Sequence, residues 1–379
     1  MNLMASDIPG RLPAEQGELE RFASENDFPL VEGNEATFLY QGHADEVHLH
    51  HRIYALASTS AFTRIEGTDF WTLTMEMPAT SRVEYKLDIV HGDQHRLIED
   101  PLNPNHSRDP FGRNSVVFGE GYEEPEWAQQ HADTRPGRVV EHVLHSDAFQ
   151  GRRPFSVYLP ARFRETRRYP LLVVHDGEEF LHFAALKNVL DNMIHRLEIP
   201  PMIVALTQSP DRLNEYPDNE AHAKFLVEEL VPGLEDLYPL VGTPDTRALM
   251  GSSFGAIASL SAAWRNPGFF STLILHSGSF AFTDIGFEHE KGPLFDPVVT
   301  FMNAFRANPG KPVDRVYVSC GIYEPMIYYN RSMVPLLEQT GMEVRYTEAR
   351  DGHNWENWRD RLREALSWSF PGPLWRVYE

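Results

Sequence analysis

The sequence predicts an α/β fold, a mostly parallel sheet with helices on both faces, preceded by a small all-β sandwich. Three observations predict it. From about Arg138 onward, strand-like apolar runs alternate with helical ones, the pattern of a parallel sheet covered on both faces. From Ala36 to about Phe118, short alternating runs follow one another with turn residues between them and no helix, as in a sandwich. Between the two, Glu120 to Gly137 is acidic and contains Pro and Gly, a linker's composition. The expected division is an N-terminal segment 1–32, a sandwich 33–120, a linker 121–137 and an α/β domain 138–379.

In chain order, Pro13 to Ala23 predicts a short amphipathic helix with Leu19, Phe22 and Ala23 on one face. Strands are expected at Thr37–Tyr40, Val47–His50, Phe70–Met75 and Val83–Ile89, punctuated by Gly42, Gly67, Pro78 and Gly92. Asp100-Pro101-Leu102-Asn103-Pro104 makes a turn-rich exit. Val139–Leu144 and Arg153–Leu159 then read as an antiparallel pair. Tyr169–Val174, Met202–Leu206, Thr272–His276, Arg315–Cys320 and Glu343–Thr347 read as further strands, and Leu181–Leu197, Ala221–Tyr238 and Trp355–Phe370 as helices. No internal repeat or low-complexity tract interrupts this order.

Composition excludes several function classes. With 34 Lys and Arg against 55 Asp and Glu, the net charge is −21, which argues against non-specific binding to nucleic acid or an anionic membrane. The single cysteine, Cys320, excludes an intrachain disulfide and a cysteine metal cluster. Met1 to Glu15 has no basic stretch followed by an apolar one, and no run approaches the roughly 20 apolar residues of a membrane span. A cytoplasmic protein is expected, without cofactor; its oligomeric state is left open, a dimer included. Val47-His48-Leu49-His50-His51 would set His48 and His50 on one strand face, and Glu288-His289-Glu290 offers more ligand atoms. Two strand histidines without a third ligand more often form a solvated face, so no metal is expected.

The chemistry concentrates at Leu249-Met250-Gly251-Ser252-Ser253-Phe254-Gly255-Ala256. Gly-x-Ser-x-Gly with Ser253 central, an apolar lead-in and a small-residue run after it match a nucleophile elbow, a strand, sharp turn and helix. The flanking glycines are expected because the turn is strained and side chains there would collide with neighbouring elements. A serine nucleophile needs a base and an orienting acid, and the chain order expected on this fold is serine, then aspartate or glutamate, then histidine. His353, in the loop between the last strand and last helix, is the candidate base. Glu324, after the strand ending at Cys320, is the candidate acid, with Asp351 and Glu348 as rivals. The oxyanion hole needs two backbone N–H groups. Phe254 should supply one, and Gly177 or Glu178, after Val173-Val174, the other.

Residues from about 140 to 370 resemble the esterase family of α/β-hydrolases that includes enterochelin esterases, feruloyl esterases and S-formylglutathione hydrolases. The resemblance is carried by Leu171–Gly177, Gly251–Gly255, Cys320–Glu324 and Gly352-His353. It also rests on Arg212-Leu213-Asn214-Glu215 and on Phe225–Pro232. Phe70-Trp71, Tyr85-Lys86-Leu87 and Asp100–Pro104 resemble the early-set immunoglobulin-like module that precedes enterochelin esterase domains. The acid departs from the pattern, being Glu324 where many relatives have aspartate. The resemblance implies a serine esterase acting on a small-molecule ester, enterochelin-esterase-like. A ferric catecholate is anionic, so Arg212, with Arg331 and Arg265, is a candidate substrate contact, and Tyr323 and Trp355, with Trp264, Trp358, Tyr328 and Tyr329, are candidate aromatic walls. The alternatives are a feruloyl- or acetyl-type esterase acting on carbohydrate-linked esters, or a carbohydrate-binding protein with a degenerate hydrolase domain. In the latter, Phe62, Phe70 and Trp71 would stack on sugars.

Overall fold

The computed structural model describes residues 12–285 and 292–373. The chain divides into two compact units. The first is Met1–Glu124 with Gly321–Glu324 and Ala349–Asn354; the second is Pro125–Cys320, Pro325–Glu348 and Trp355–Glu379.

In the first unit two antiparallel sheets form the expected sandwich. One orders strands Leu30–Glu32, Glu35–Gln41, Phe70–Glu76 and Thr63–Arg64. The other orders Thr59–Ala61, Glu46–His51, Arg82–His91, Gly112–Phe118 and His106–Asp109, with Gln94–Ile98 also paired to Arg82–His91. The two-residue period decides what goes inside. Val47 and Leu49, and Val83, Tyr85, Leu87 and Ile89, are the buried alternates of their strands. They share a core with Phe38, Leu73 and Met75 of the first sheet, each large apolar side chain contributing about 1.5–3 kcal/mol through burial. The helix Gln16–Glu25 buries Leu19 against Phe28, Leu39 and Phe70, with Phe22 and Ala23 packed beside it. Asp100 explains its proline-rich loop: its carboxylate accepts from the Tyr85 hydroxyl at 2.6 Å and the Leu102 N–H at 3.0 Å, and burial pushes its pKa up to about 6.

The same packing corrects one expectation. Phe62, Phe70 and Trp71 are all buried, and the Trp71 indole N–H donates to the Gly42 carbonyl. These rings fill the sandwich and present no sugar-stacking face. His48 and His50 share the half-buried face of their strand, and His48 pairs with Glu46 at 2.8 Å. Among the described residues no group of three or more His, Cys, Asp or Glu could hold a metal ion. Glu288-His289-Glu290 lies outside the described residues.

The second unit is built on an eight-stranded sheet. Its order is Arg138–Ser146, Gly151–Leu159, Ile203–Thr207, Leu171–Val174, Arg247–Ser252, Thr272–His276, Arg315–Gly321, Glu343–Ala349. The first two strands are antiparallel, and the five from Ile203–Thr207 to Arg315–Gly321 are mutually parallel. The one exchange of neighbours, Ile203–Thr207 lying outside Leu171–Val174, places Leu171–Val174 beside Arg247–Ser252. Both strands are buried throughout, as strands covered on both faces must be.

Three helices differ from expectation. Leu181–Leu197 is two helices, Gly177–Phe183 and Leu186–His195, separated at Ala185, which is left-handed with φ 48°. The apolar run continues across the break because both helices bury faces in one core, so periodicity does not reveal it. Ala221–Tyr238 begins at Glu220 under the Asn219 side-chain cap and passes through a wide turn of π-helix, Phe225–Leu230, before Val231–Leu237. Pro232 has no N–H to continue the regular ladder, and the wide turn accommodates it. Asp296–Ala307 was not expected, although its buried Val298, Phe301, Met302 and Phe305 have helical spacing.

Candidate active site

Ser253 sits between strand Arg247–Ser252 and helix Phe254–Arg265, with φ 57° and ψ −119°. For a residue with a Cβ this costs on the order of 1–3 kcal/mol, so the surroundings must impose it. They do so at both glycines. A Cβ on Gly251 would lie 2.2 Å from the Gly255 carbonyl oxygen, and one on Gly255 would lie 3.2 Å from the His175 Cβ. Glycine at both positions lets the turn close. The Ser253 N–H donates to the His276 carbonyl, and its hydroxyl lies 3.2 Å from the Ser279 hydroxyl. Ser252 is fully buried and its hydroxyl has no hydrogen-bond partner, whereas Ser253 is half-buried. The helix after the elbow is buried from Phe254 to Ala263; its alanines and serines admit close approach to the sheet.

The parallel register pairs Val174 with Met250, so the segment after Val174 runs beside the elbow. Asp176 is left-handed with φ 53° and precedes the helix that starts at Gly177. A Cβ on Gly177 would be 2.5 Å from the Leu206 Cα, so only glycine lets the backbone pass that strand. Glu178 uses its side chain to accept from Ser156. Arg212 Nε donates to both Asp176 oxygens, at 3.0 and 2.9 Å, and its guanidinium lies 5.9 Å from the Phe254 ring. Arg212 therefore ties the Asp176–Gly177 turn to the elbow, and its side chain keeps one-third exposure. Arg265 and Arg331 are committed elsewhere, to Asp218 and Glu348.

Behind the elbow lie two fully buried imidazoles. His175 Nε2 and His222 Nε2 are 2.9 Å apart, with His175 Nδ1 near the Met250 carbonyl and the Ser259 hydroxyl. Only one ring can donate across that contact, so the other accepts as a neutral imidazole. Burial holds His175 down to about 4 and His222 well below its usual range. Burial likewise lowers His276, which bonds Ser319, to about 3. The unfolded chain thus takes up protons below pH 6.5 that the native state refuses, and stability present above that pH is lost as pH falls toward 4. His175 and His276 should each remove roughly 2 kcal/mol by pH 5. Urea unfolding at pH 7, 6 and 5 measures this, and an unchanged midpoint would contradict neutral burial.

Glu324 and His353 belong to the first unit and follow the sheet's last two strands in the chain. His353 Nδ1 hydrogen-bonds Glu324 Oε2. Glu324 Oε1 accepts from the Gly321 N–H at 2.7 Å, and its side chain is wholly buried while that of His353 is one-third exposed. The rival acids are engaged otherwise: Glu348 by Arg331 and Tyr346, Asp351 by the Gly352 N–H, the Asn354 amide and Arg82. Two of the proposed aromatic walls are corrected. Tyr323 is buried in the sandwich core with its hydroxyl on Ser81, and Trp355 is buried against Phe180, Phe183 and Trp358. An aromatic residue beside a candidate acid or base reads the same in sequence whether it lines a cleft or a core. Ser279 and the Asp176–Arg212 pair were missed. The signal for Ser279 was its place three residues beyond strand Thr272–His276, next to the elbow strand.

A mostly parallel eight-stranded sheet with the fourth strand outside the third and a strained Gly-x-Ser-x-Gly turn after the fifth defines an α/β-hydrolase. The family model described as "Putative esterase" matches residues 146–369, more than half of the chain. The chain belongs to that family and is a carboxylic ester hydrolase. Its relatives include the Iron(III) enterobactin esterase of Escherichia coli O6:H1, 24% identical over 329 residues, 80% of each chain. Another is the uncharacterized protein YjcH of Bacillus subtilis, 24% identical over 61% of this chain and 96% of its own. Among solved structures, the enterochelin esterase of Shigella flexneri superposes with a TM-score of 0.73 at 20% identity, covering 95% of this chain and 98% of that one. A ferulic acid esterase reaches 0.52 at 21%, covering 62% and 98%. Among the described residues no helix is long and apolar enough to cross a membrane.

Proposed function

We propose that the chain hydrolyses a catecholate siderophore ester through an acyl-enzyme on Ser253, with His353 as base and Glu324 as the acid that orients it. In this reading Ser253 Oγ attacks the ester carbonyl carbon as its proton passes to His353 Nε2. The tetrahedral oxyanion is held by the backbone N–H groups of Phe254 and of Gly177 or Glu178. Collapse expels the alcohol, which takes the proton from His353, and water then repeats the sequence on the acyl-enzyme. The strained elbow, the His353–Glu324 bond and the order serine, acid, histidine support the assignment. Arg212, alone of the three candidate arginines, adjoins the elbow and supplies positive charge for an anionic substrate.

One observation carries the substrate class: alignment with the Escherichia coli enterobactin esterase extends over 80% of both chains, against the 62% of this chain that the ferulic acid esterase covers. The test compares kcat/KM for a cyclic catecholate trilactone, a feruloyl ester and p-nitrophenyl acetate. The trilactone should exceed the feruloyl ester by at least about 100-fold, about 3 kcal/mol of transition-state discrimination. Equal or reversed values would remove the siderophore reading and leave the esterase.

A further inference from the structure

The sandwich unit contains more than its own strands. Gly321–Glu324 and Ala349–Asn354 are part of it, and these two segments carry the acid–base pair. Tyr323, adjacent to Glu324, is inserted in the sandwich core. Its hydroxyl bonds Ser81 at 2.8 Å, its carbonyl accepts from the Tyr54 N–H at 2.8 Å, and its own N–H donates to the Asp351 carbonyl at 3.1 Å. One residue along from Ser81, the Arg82 N–H donates to the Arg350 carbonyl at 2.9 Å, and Arg350 Nη1 returns a bond to the Ala79 carbonyl at 2.7 Å. The Arg82 guanidinium, only 3% exposed, bridges Glu84 and Asp351, at 3.1 and 3.4 Å. Asp351 Oδ1 in turn accepts from the Gly352 N–H and the Asn354 side chain, both at 2.7 Å. That turn surrounds His353.

We infer that Arg82 is a positioning residue for ester hydrolysis: through Asp351 the β module fixes the loop that holds His353 against Glu324. A buried arginine between two carboxylates is weak evidence for stability, because desolvation offsets attraction. It does specify one geometry, since its fork must face both carboxylates at once. Asp351 lies on the turn, two residues before His353, and the neighbouring Tyr323 anchor secures the segment bearing Glu324. Both halves of the acid–base pair are thus referred to one rigid sheet.

The inference rests on the proposed roles of His353 and Glu324, and the experiment separates the two. Full-length Arg82→Met, Arg82→Lys and the double variant Arg82→Met/Asp351→Asn are compared with wild type, with exposed Arg108→Met as control. Readouts are kcat and KM on p-nitrophenyl acetate and the rate of Ser253 labelling by a fluorophosphonate. Arg82→Met should lose about 10- to 100-fold in kcat and in labelling rate with KM within about twofold. Arg82→Lys, which keeps the charge without the fork, should recover only part of the loss, and Arg108→Met should leave kcat and labelling unchanged. If Arg82→Met loses its cooperative melt, the double variant, which neutralises the more deeply buried of the two carboxylates facing Arg82, is read instead and should show the same kcat loss. Wild-type kcat and labelling in the folded variants, or a loss confined to KM, overturns the inference. Absent labelling of wild type would overturn the serine-esterase mechanism itself.

Discussion

Ser253→Ala should abolish ester hydrolysis, lowering kcat by roughly 10⁴- to 10⁶-fold, and should remove fluorophosphonate labelling entirely. The argument rests on the turn. Ser253 is the residue forced to φ 57°, flanked by two glycines at which a side chain would meet the Gly255 carbonyl or His175. An alanine adopts the same backbone as serine, and the only bond lost from the side chain is the long 3.2 Å contact with Ser279, so the variant should melt within a few degrees of wild type. Ser252→Ala is the control: its hydroxyl is buried without a partner, and removing it should leave kcat within a few fold. Residual labelling of Ser253→Ala, or loss of activity in Ser252→Ala alone, would move the nucleophile.

His353→Ala should fall as far as Ser253→Ala, and Glu324→Gln by about 10⁴-fold. The Glu324 prediction follows from donor and acceptor count. The carboxylate accepts from the Gly321 N–H with one oxygen and faces His353 Nδ1 with the other, which keeps the proton on Nδ1 and leaves Nε2 unprotonated to act as base. A glutamine keeping the Gly321 bond presents its NH₂ to Nδ1, so Nε2 carries the proton and cannot accept the serine's. Steady-state kinetics on p-nitrophenyl acetate measures both. Glu348→Gln should keep near wild-type kcat, since Glu348 is held by Arg331 and Tyr346. Full activity in Glu324→Gln would leave His353 without its orienting acid and pass that role to another carboxylate.

Much of this was legible in the linear text because it is local. Two-residue alternation marks Val47-Leu49 and Val83-Tyr85-Leu87-Ile89 as sandwich strands, and the buried runs around Leu171–Val174 and Arg247–Met250 mark a sheet covered on both faces. The elbow was legible because its chemistry is a matter of adjacent residues: a strand, two glycines and a serine between them. The candidate acid and base were legible as positions after the last two strands, because chain order along such a sheet orders their ends. The breaks at Ala185 and around Pro232 were not, since apolar periodicity runs on unchanged through a helix that turns or widens.

Choices between chemically equivalent side chains needed the folded chain. Glu324, Glu348 and Asp351 offer the same carboxylate, and the partner each meets is set by segments far apart in sequence, so their roles diverge only when Gly321, Arg331 and Arg82 are brought beside them. Tyr323 and Trp355 are indistinguishable from substrate walls until neighbours from other elements enclose them. Arg212 offers a positive charge in either form, but its bond to Asp176 is a contact across 36 residues. Nearest-neighbour sterics and period decide which elements form and where a nucleophile is presented. Desolvation and pairing, which depend on what packs around a group, decide what each polar or aromatic side chain then does.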